Sequence, residues 1–210
     1  MIMSRTSFKP PVIVAFVLAL LALAPARGES ADPAASRVNG FYEVLLSTME
    51  KAKQLGLKGR YEKLAPALSK TYDLASMAKT AVGPSWSEFS PEQQRELVKA
   101  FTRMTIATYA SRFDDYSGEQ FDVSQTVDQP NGDKIVKTRI TQSSGKTVAL
   151  NYLMRKAGAE WKIMDVYLDG AISELATRRA EFGAILKSGG PDALISSLMR
   201  QGDKLLAGGS

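Results

Sequence analysis

The chain has 210 residues, 27 Lys and Arg against 22 Asp and Glu, a net charge of +5, and neither cysteine nor histidine. It therefore lacks the material for a disulfide framework, a zinc finger, an iron–sulfur cluster, an axial haem histidine or a thiol–imidazole catalytic pair. With 44% hydrophobic and 23% charged residues the composition is that of an ordinary globular protein, and the length fits one domain with a real core.

Residues 1–26 read as a secretory signal peptide. Arg5 and Lys9 give a basic start, Val12 to Ala24 carries no polar side chain, and Ala24-Pro25-Ala26 is a small-x-small cleavage site. The apolar stretch is shorter than the ~20 residues a membrane-spanning helix needs, and no cysteine follows it to carry a lipid anchor. Cleavage removes Arg5 and Lys9, which takes the net charge from +5 to +3. The remaining basic residues are scattered, so no nucleic-acid partner is expected.

Residues 27–36 are small and polar and read as a flexible lead. A single domain is expected over 37–206, helical over 37–116, a sheet over 120–169 and helical again over 171–206. Val38, Phe41, Tyr42, Leu45, Leu46, Met49 and Ala52 recur at helical spacing, with Gly56 and Gly59 expected to close that helix. A second helix carries Tyr61, Leu64 and Leu68, interrupted in regularity by Pro66. Asp73 is a good cap for a third, bearing Leu74, Met77, Ala78 and Val82 and stopped by Gly83-Pro84. Ser90-Pro91-Glu92-Gln93 is a capping box that opens a fourth, with Leu97, Val98, Phe101, Met104, Thr105 and Tyr109 on one face and an end near Phe113.

From Phe121 the period becomes two. Phe121-Val123, Val136 to Ile140, Val148 to Met154 and Trp161-Ile163 alternate as strands, separated by the turn signals Gln129 to Gly132, Ser143 to Gly145 and Ala157 to Ala159. Short turns imply an antiparallel meander of about four strands. Helical period resumes after Gly170 with Ile172, Leu175, Phe182 and Leu186. It breaks at Gly189-Gly190-Pro191-Asp192 and restarts with Leu194, Ile195, Leu198 and Met199. Helices, sheet, helices is an α+β fold.

Chemistry is harder to place. Nucleophile-elbow, phosphate-loop and dinucleotide motifs are absent from the sequence. Asp114-Asp115 precedes a turn and suits a capping or solvated role. Strict alternation along the last long strand puts Asp165 on one face with Trp161, Ile163 and Tyr167, and Met164, Val166 and Leu168 on the other. Asp165 is then either a polar or acid–base group in a cavity, or a structural carboxylate bonded to backbone amides or paired with Arg139 or Arg155. The second reading is favoured, since buried charges are normally paired. Met77, Phe101, Met104, Tyr109, Tyr152, Met154 and Trp161 are core residues first, although methionine also suits irregular ligand shapes. Arg178-Arg179 is either a solvated face or a rim that meets anionic headgroups or an acidic partner.

In their order the motifs resemble a known family. They are Tyr72-Asp73-Leu74, Gly83-Pro84-Ser85-Trp86, Ser90 to Gln94, Tyr109-Ala110-Ser111-Arg112-Phe113, Tyr116-Ser117-Gly118-Glu119, Trp161 to Gly170 with Ile172-Ser173, Arg178 to Phe182 and Gly189 to Ile195. The chain resembles the Mla-type periplasmic lipid carriers, also called toluene-tolerance auxiliary proteins of ABC transporters. Gly170-Ala171-Ile172-Ser173, where many such carriers have Gly-Val-Ser, is closest to the hopanoid-biosynthesis-associated branch, HpnM. The resemblance implies a twisted antiparallel sheet wrapped by helices around an apolar cavity that takes lipid. It also implies a monomer that exchanges a hopanoid or phospholipid with an inner-membrane transporter and helps maintain the outer membrane, without cofactor, metal or catalysis. The lipid-contact residues expected on that basis are Met77, Val82, Trp86, Phe101, Met104, Tyr109, Leu150, Tyr152, Met154, Trp161, Ile163, Asp165 and Tyr167. The energetics of lipid transfer suit such a carrier, because a bare C16 chain in water costs on the order of 12 kcal/mol at ~0.8 kcal/mol per methylene. Two other functions fit the same residues: a transporter-associated scaffold that carries no lipid, and an enzyme using Asp165 with Tyr109 or Tyr167 on an apolar substrate.

Overall fold

A computed structural model describes residues 32–208. The expected signal peptide lies outside the described residues. The helices are α1 (Pro33–Met49), α2 (Ala52–Thr71), α3 (Leu74–Val82), α4 (Pro91–Arg112) and α5 (Glu174–Leu206), with a 3-10 turn at Gly83–Glu88. The strands are β1 (Gln120–Asp128), β2 (Lys134–Thr141), β3 (Thr147–Ala157), β4 (Glu160–Leu168) and β5 (Ile172–Ser173). They form one antiparallel sheet in the order β1-β2-β3-β4-β5. The α+β reading therefore holds, with five strands in place of about four.

Local chemistry explains most boundaries. The Asp32 carboxylate accepts from the Ala34 and Ala35 amides, so α1 starts at Pro33, inside the stretch expected to be a flexible lead. Lys134 anchors the same carboxylate to the sheet at 2.5 Å. Asp73 caps α3, and Ser90 and Gln93 form the reciprocal capping box of α4. Gly56 does not close the first helix, which ends at Met49. Its φ of 60° bends α2 instead. Gly190, at φ 68°, interrupts the helical path of α5 where the break was expected, and the helix resumes from Pro191. Beyond that break Asp192 meets Gln93 and Asp203 meets Arg103, so the last half of α5 runs parallel to α4.

The sheet carries two irregularities that decide the site. Along β4 the pairing runs Trp161 with Lys156 and Ile163 with Met154, then slips so that Asp165 pairs with Leu153 and Val166 with Tyr152. Met164 is the extra residue of a β-bulge, which shifts the alternation by one. Trp161, Ile163, Val166 and Leu168 consequently share a face. Asp165 and Tyr167 lie on the other, contrary to the strict alternation expected. At the far end of β4, Asp169 (φ 48°) and Gly170 (φ 78°) make a tight reversal closed by the Ala171 amide on the Leu168 carbonyl at 3.1 Å. That reversal produces β5, where the residue pattern alone predicts a direct passage into helix.

One continuous core fills the space between sheet and helices. Phe41, Tyr42 and Leu45 of α1, Leu64 and Leu68 of α2, Leu97 and Phe101 of α4, Tyr152 and Met154 of β3, and Phe182, Leu194 and Leu198 of α5 all belong to it. The Asp73 amide bonds the Ile163 carbonyl at 3.0 Å, fastening the α2–α3 corner to β4 beside the bulge. Among the described residues no helix is long and apolar enough to cross a membrane.

Candidate functional site: an apolar cavity between sheet and helices

A cavity of about 210 Å3 opens beside the core. Its walls are Met77 of α3; Phe101, Met104, Thr105, Thr108 and Tyr109 of α4, with Phe113 just beyond; Leu150 of β3; Val166 and Leu168 of β4; and Leu175 of α5, with Tyr72 at the end of α2. The lining is mostly hydrocarbon and aromatic. The charged groups that line it are Arg112, which is exposed, and Glu174 and Arg178, which are half-buried, so they mark its solvent side.

Helix periodicity explains how α4 lines so much of it. Phe101, Met104, Thr105, Thr108, Tyr109 and Arg112 follow the i, i+3, i+4 rule and form one stripe. On the sheet side the bulge at Met164 turns Val166 and Leu168 inward. With Leu150, which pairs across to Leu168, they form the opposite wall. Ala149, one residue along β3, is exposed on the outer face.

Hydroxyl groups are grouped beside these apolar walls. Tyr72 Oη and Tyr109 Oη are 2.6 Å apart, Tyr42 Oη is 2.6 Å from Thr138 Oγ1 and 3.0 Å from Tyr152 Oη, and the Thr138 hydroxyl donates to the Leu150 carbonyl at 2.6 Å. Phe41 sits edge-on to both Tyr72 and Tyr109. Burial pushes the phenols of Tyr42 and Tyr109 up to about 12 and those of Tyr72 and Tyr152 well above their ordinary value. A folded-state value raised above the unfolded one means the stabilisation is complete below about pH 10 and fades as pH climbs through the folded values. Phenolate absorbance and circular dichroism followed together from pH 9 to 13 are therefore expected to show the four buried tyrosines ionising with unfolding. Ionisation of all tyrosines while the far-UV signal stays native would contradict the cluster.

Five of the residues expected to touch ligand line the cavity: Met77, Phe101, Met104, Tyr109 and Leu150. The others are placed elsewhere. Tyr152, Met154 and Ile163 are on the inner face of the sheet but sealed in the core, and Val82 is buried at the end of α3. Trp86 stacks on Phe89 with ring centroids 6.2 Å apart, and Trp161 lies under the Lys134 and Lys156 ammonium groups at 5.4 and 5.9 Å. Asp165 is 7% exposed and turned away from the cavity. Its carboxylate accepts from the Val166 amide at 2.8 Å, the Leu175 amide at 3.1 Å and the Ser173 hydroxyl at 2.5 Å. Ser173 in turn caps α5 through the Ala176 amide. Asp165 is thus bonded to backbone amides, as favoured, and pairs with neither arginine: Arg155 makes a two-pronged contact with Asp133 at 2.8 and 2.6 Å. Tyr167 lies on the outer face beside it.

Sequence reasoning did not nominate Tyr72, Thr105, Thr108, Arg112, Phe113, Val166, Leu168, Glu174 or Leu175 as ligand contacts, and it offered Arg178 only as one of two readings, a rim for anionic headgroups; the structure puts Arg178 in the lining. The α4 members could have been found by extending the Phe101–Met104–Tyr109 stripe by one turn. Val166 and Leu168 could not, because nothing in the residue pattern marks the bulge.

The chain matches the family described as MlaC protein over residues 41–200. Among solved structures it is similar to the phospholipid-binding protein from Ralstonia solanacearum, determined in complex with a phospholipid. The two share 22% identity over 83% of this chain and 99% of that one, with a TM-score of 0.73. No curated protein matches it. The match over most of the folded region, on the helix–sheet–helix frame described above, places the chain in the MlaC protein family.

Proposed function

We propose that this protein is a periplasmic lipid carrier, which takes the apolar part of a membrane lipid into the cavity and exchanges it with an inner-membrane transporter. The observation that carries this reading is the cavity itself, with an apolar wall built by α3, α4, β3, β4 and α5 and charged side chains at its solvent side. Family membership and the phospholipid bound by the Ralstonia relative support it. Such a carrier must shield hydrocarbon from water at about 25 cal/mol per Å2 and still release it, and shape with apolar lining achieves both without turnover. The N-terminal segment read as a signal peptide would deliver it to the periplasm. The cargo is a phospholipid, as in the relative, or a hopanoid, as the Gly170-Ala171-Ile172-Ser173 stretch suggests.

The test is mass spectrometry of an organic extract from residues 27–210, purified from the periplasm without detergent in a host that makes both lipid classes. Near-stoichiometric lipid is expected, and its class decides between the two cargoes. Protein free of lipid would overturn the carrier reading.

A further inference from the structure

The solvent side of the cavity has a charge arrangement that the apolar walls do not require. Arg112 lies in the last turn of α4, lines the cavity and makes neither an ion pair nor a side-chain hydrogen bond with another described residue. Arg178 also lines it, but is engaged twice on its own helix, by Glu174 at 3.1 Å and by Glu181 at 3.2 Å. Glu174 is the one carboxylate among the lining residues. The Tyr109 phenol, whose value is raised chiefly by burial, is further raised by Glu174 and lowered by Arg112, so both charges act on the interior wall.

We infer that Arg112 binds the phosphodiester of the lipid headgroup, and that Glu174, held by Arg178, favours a headgroup with one negative charge and a positive end. This rests on the carrier reading and names the cargo class within it. A guanidinium beside an apolar tunnel is placed to meet an anion attached to hydrocarbon, and its planar donors suit a phosphate better than an ammonium would. The lining residues contribute two positive charges and one negative. One phosphate charge beside Arg112 offsets the excess equally in phosphatidylglycerol and phosphatidylethanolamine, so the choice between the two falls to Glu174. A second negative charge on the ligand would face Glu174, whereas a terminal amine would find it favourable.

Lipid uptake from vesicles distinguishes the possibilities. Wild-type protein is incubated with vesicles doped with phosphatidylethanolamine, phosphatidylglycerol or diacylglycerol of the same chains, and bound lipid is measured after separation. Wild type is expected to prefer phosphatidylethanolamine to phosphatidylglycerol several-fold and either phospholipid to diacylglycerol by roughly tenfold, the scale of one charge-assisted hydrogen-bonded contact. Arg112→Gln is expected to lose roughly tenfold for both phospholipids and nothing for diacylglycerol, with Arg112→Lys intermediate. Glu174→Gln is expected to remove the preference between the two phospholipids. Equal uptake of phosphatidylethanolamine by wild type and Arg112→Gln, at matched thermal midpoints, would overturn the headgroup assignment. So would uptake of diacylglycerol equal to that of phospholipid, and in both cases the carrier reading stands. No uptake of any lipid by wild type would overturn both.

Discussion

Replacing Asp165 by alanine is expected to destabilise the protein by about 3 kcal/mol, because it strands two buried amides and a half-buried hydroxyl at ~1 kcal/mol or more each. Those donors are the Val166 and Leu175 amides and the Ser173 hydroxyl. The carboxylate ties β4 to the first turn of α5, where a negative charge also opposes the positive helix end. Asp165→Asn should cost much less, about 1 kcal/mol. Its amide oxygen can still accept from both backbone N–H groups, and the loss is confined to the Ser173 contact. Urea unfolding of both variants, read by tryptophan fluorescence and far-UV dichroism, gives the comparison. A midpoint for Asp165→Ala within error of wild type would show that this bond set does not hold the helix. A group acting on ligand would behave differently, since the asparagine variant would then lose function at full stability. The geometry argues against that role, because Asp165 faces α5 and Ser173 and not the cavity.

The contrast between Asp165 and its neighbours shows what the residue pattern carries and what it does not. Capping and turn chemistry are local, so Asp73, Ser90 with Gln93, and the glycine turns announce their elements correctly. The capping box of α4 also fixes the phase of the stripe that lines the cavity, and with it Phe101, Met104 and Tyr109. Phase along β4 is not local. Met164 is as apolar as its neighbours, and the bulge lies beside the point where Ile163 meets the Tyr72–Asp73 corner, a contact across about ninety residues of chain. One inserted residue moves Asp165 and Tyr167 to the outer face and brings Val166 and Leu168 inward.

Two local signals are legible and carry more than helical periodicity alone suggests. Asp169-Gly170 is a strong hairpin signal, and read as such it gives β5 and locates Ser173 as the cap of α5. Asp32-Pro33 is an equally clear helix start, hidden by the small polar residues around it. The sealed residues are a different case. Tyr152, Met154, Ile163 and Trp161 have the composition of a ligand wall, and only tertiary packing separates a core aromatic from a cavity aromatic. The phenol cluster shows why: Tyr42 and Tyr152 are satisfied by each other and by Thr138, from β2, while Tyr72 and Tyr109, a pair of the same chemistry, reach the cavity.

Filling the cavity from the sheet side should abolish cargo with little effect on folding. Leu150 lies on β3 between Thr138 of β2 and Leu168 of β4, half-buried, with its side chain on the cavity wall. Leu150→Trp would place an indole into space of about 210 Å3. Overpacking a closed core costs about 1–3 kcal/mol, but a void beside the residue takes up added volume without that strain. The thermal midpoint is therefore expected to stay near wild type while lipid recovered by detergent-free purification falls at least roughly tenfold, the effect of withdrawing about two buried methylenes. Ala149→Trp is the matched control, since Ala149 is exposed on the outer face of the same strand one residue away. It should retain full cargo. Equal lipid content in both variants would mean that cargo does not enter between β3 and α4. Loss in both would point to the outer face or to the sheet's edges, because a tryptophan at 149 cannot reach the wall formed by Leu150, Val166 and Leu168. Loss in the Leu150 variant alone ties the cargo to the same wall that the bulge at Met164 creates.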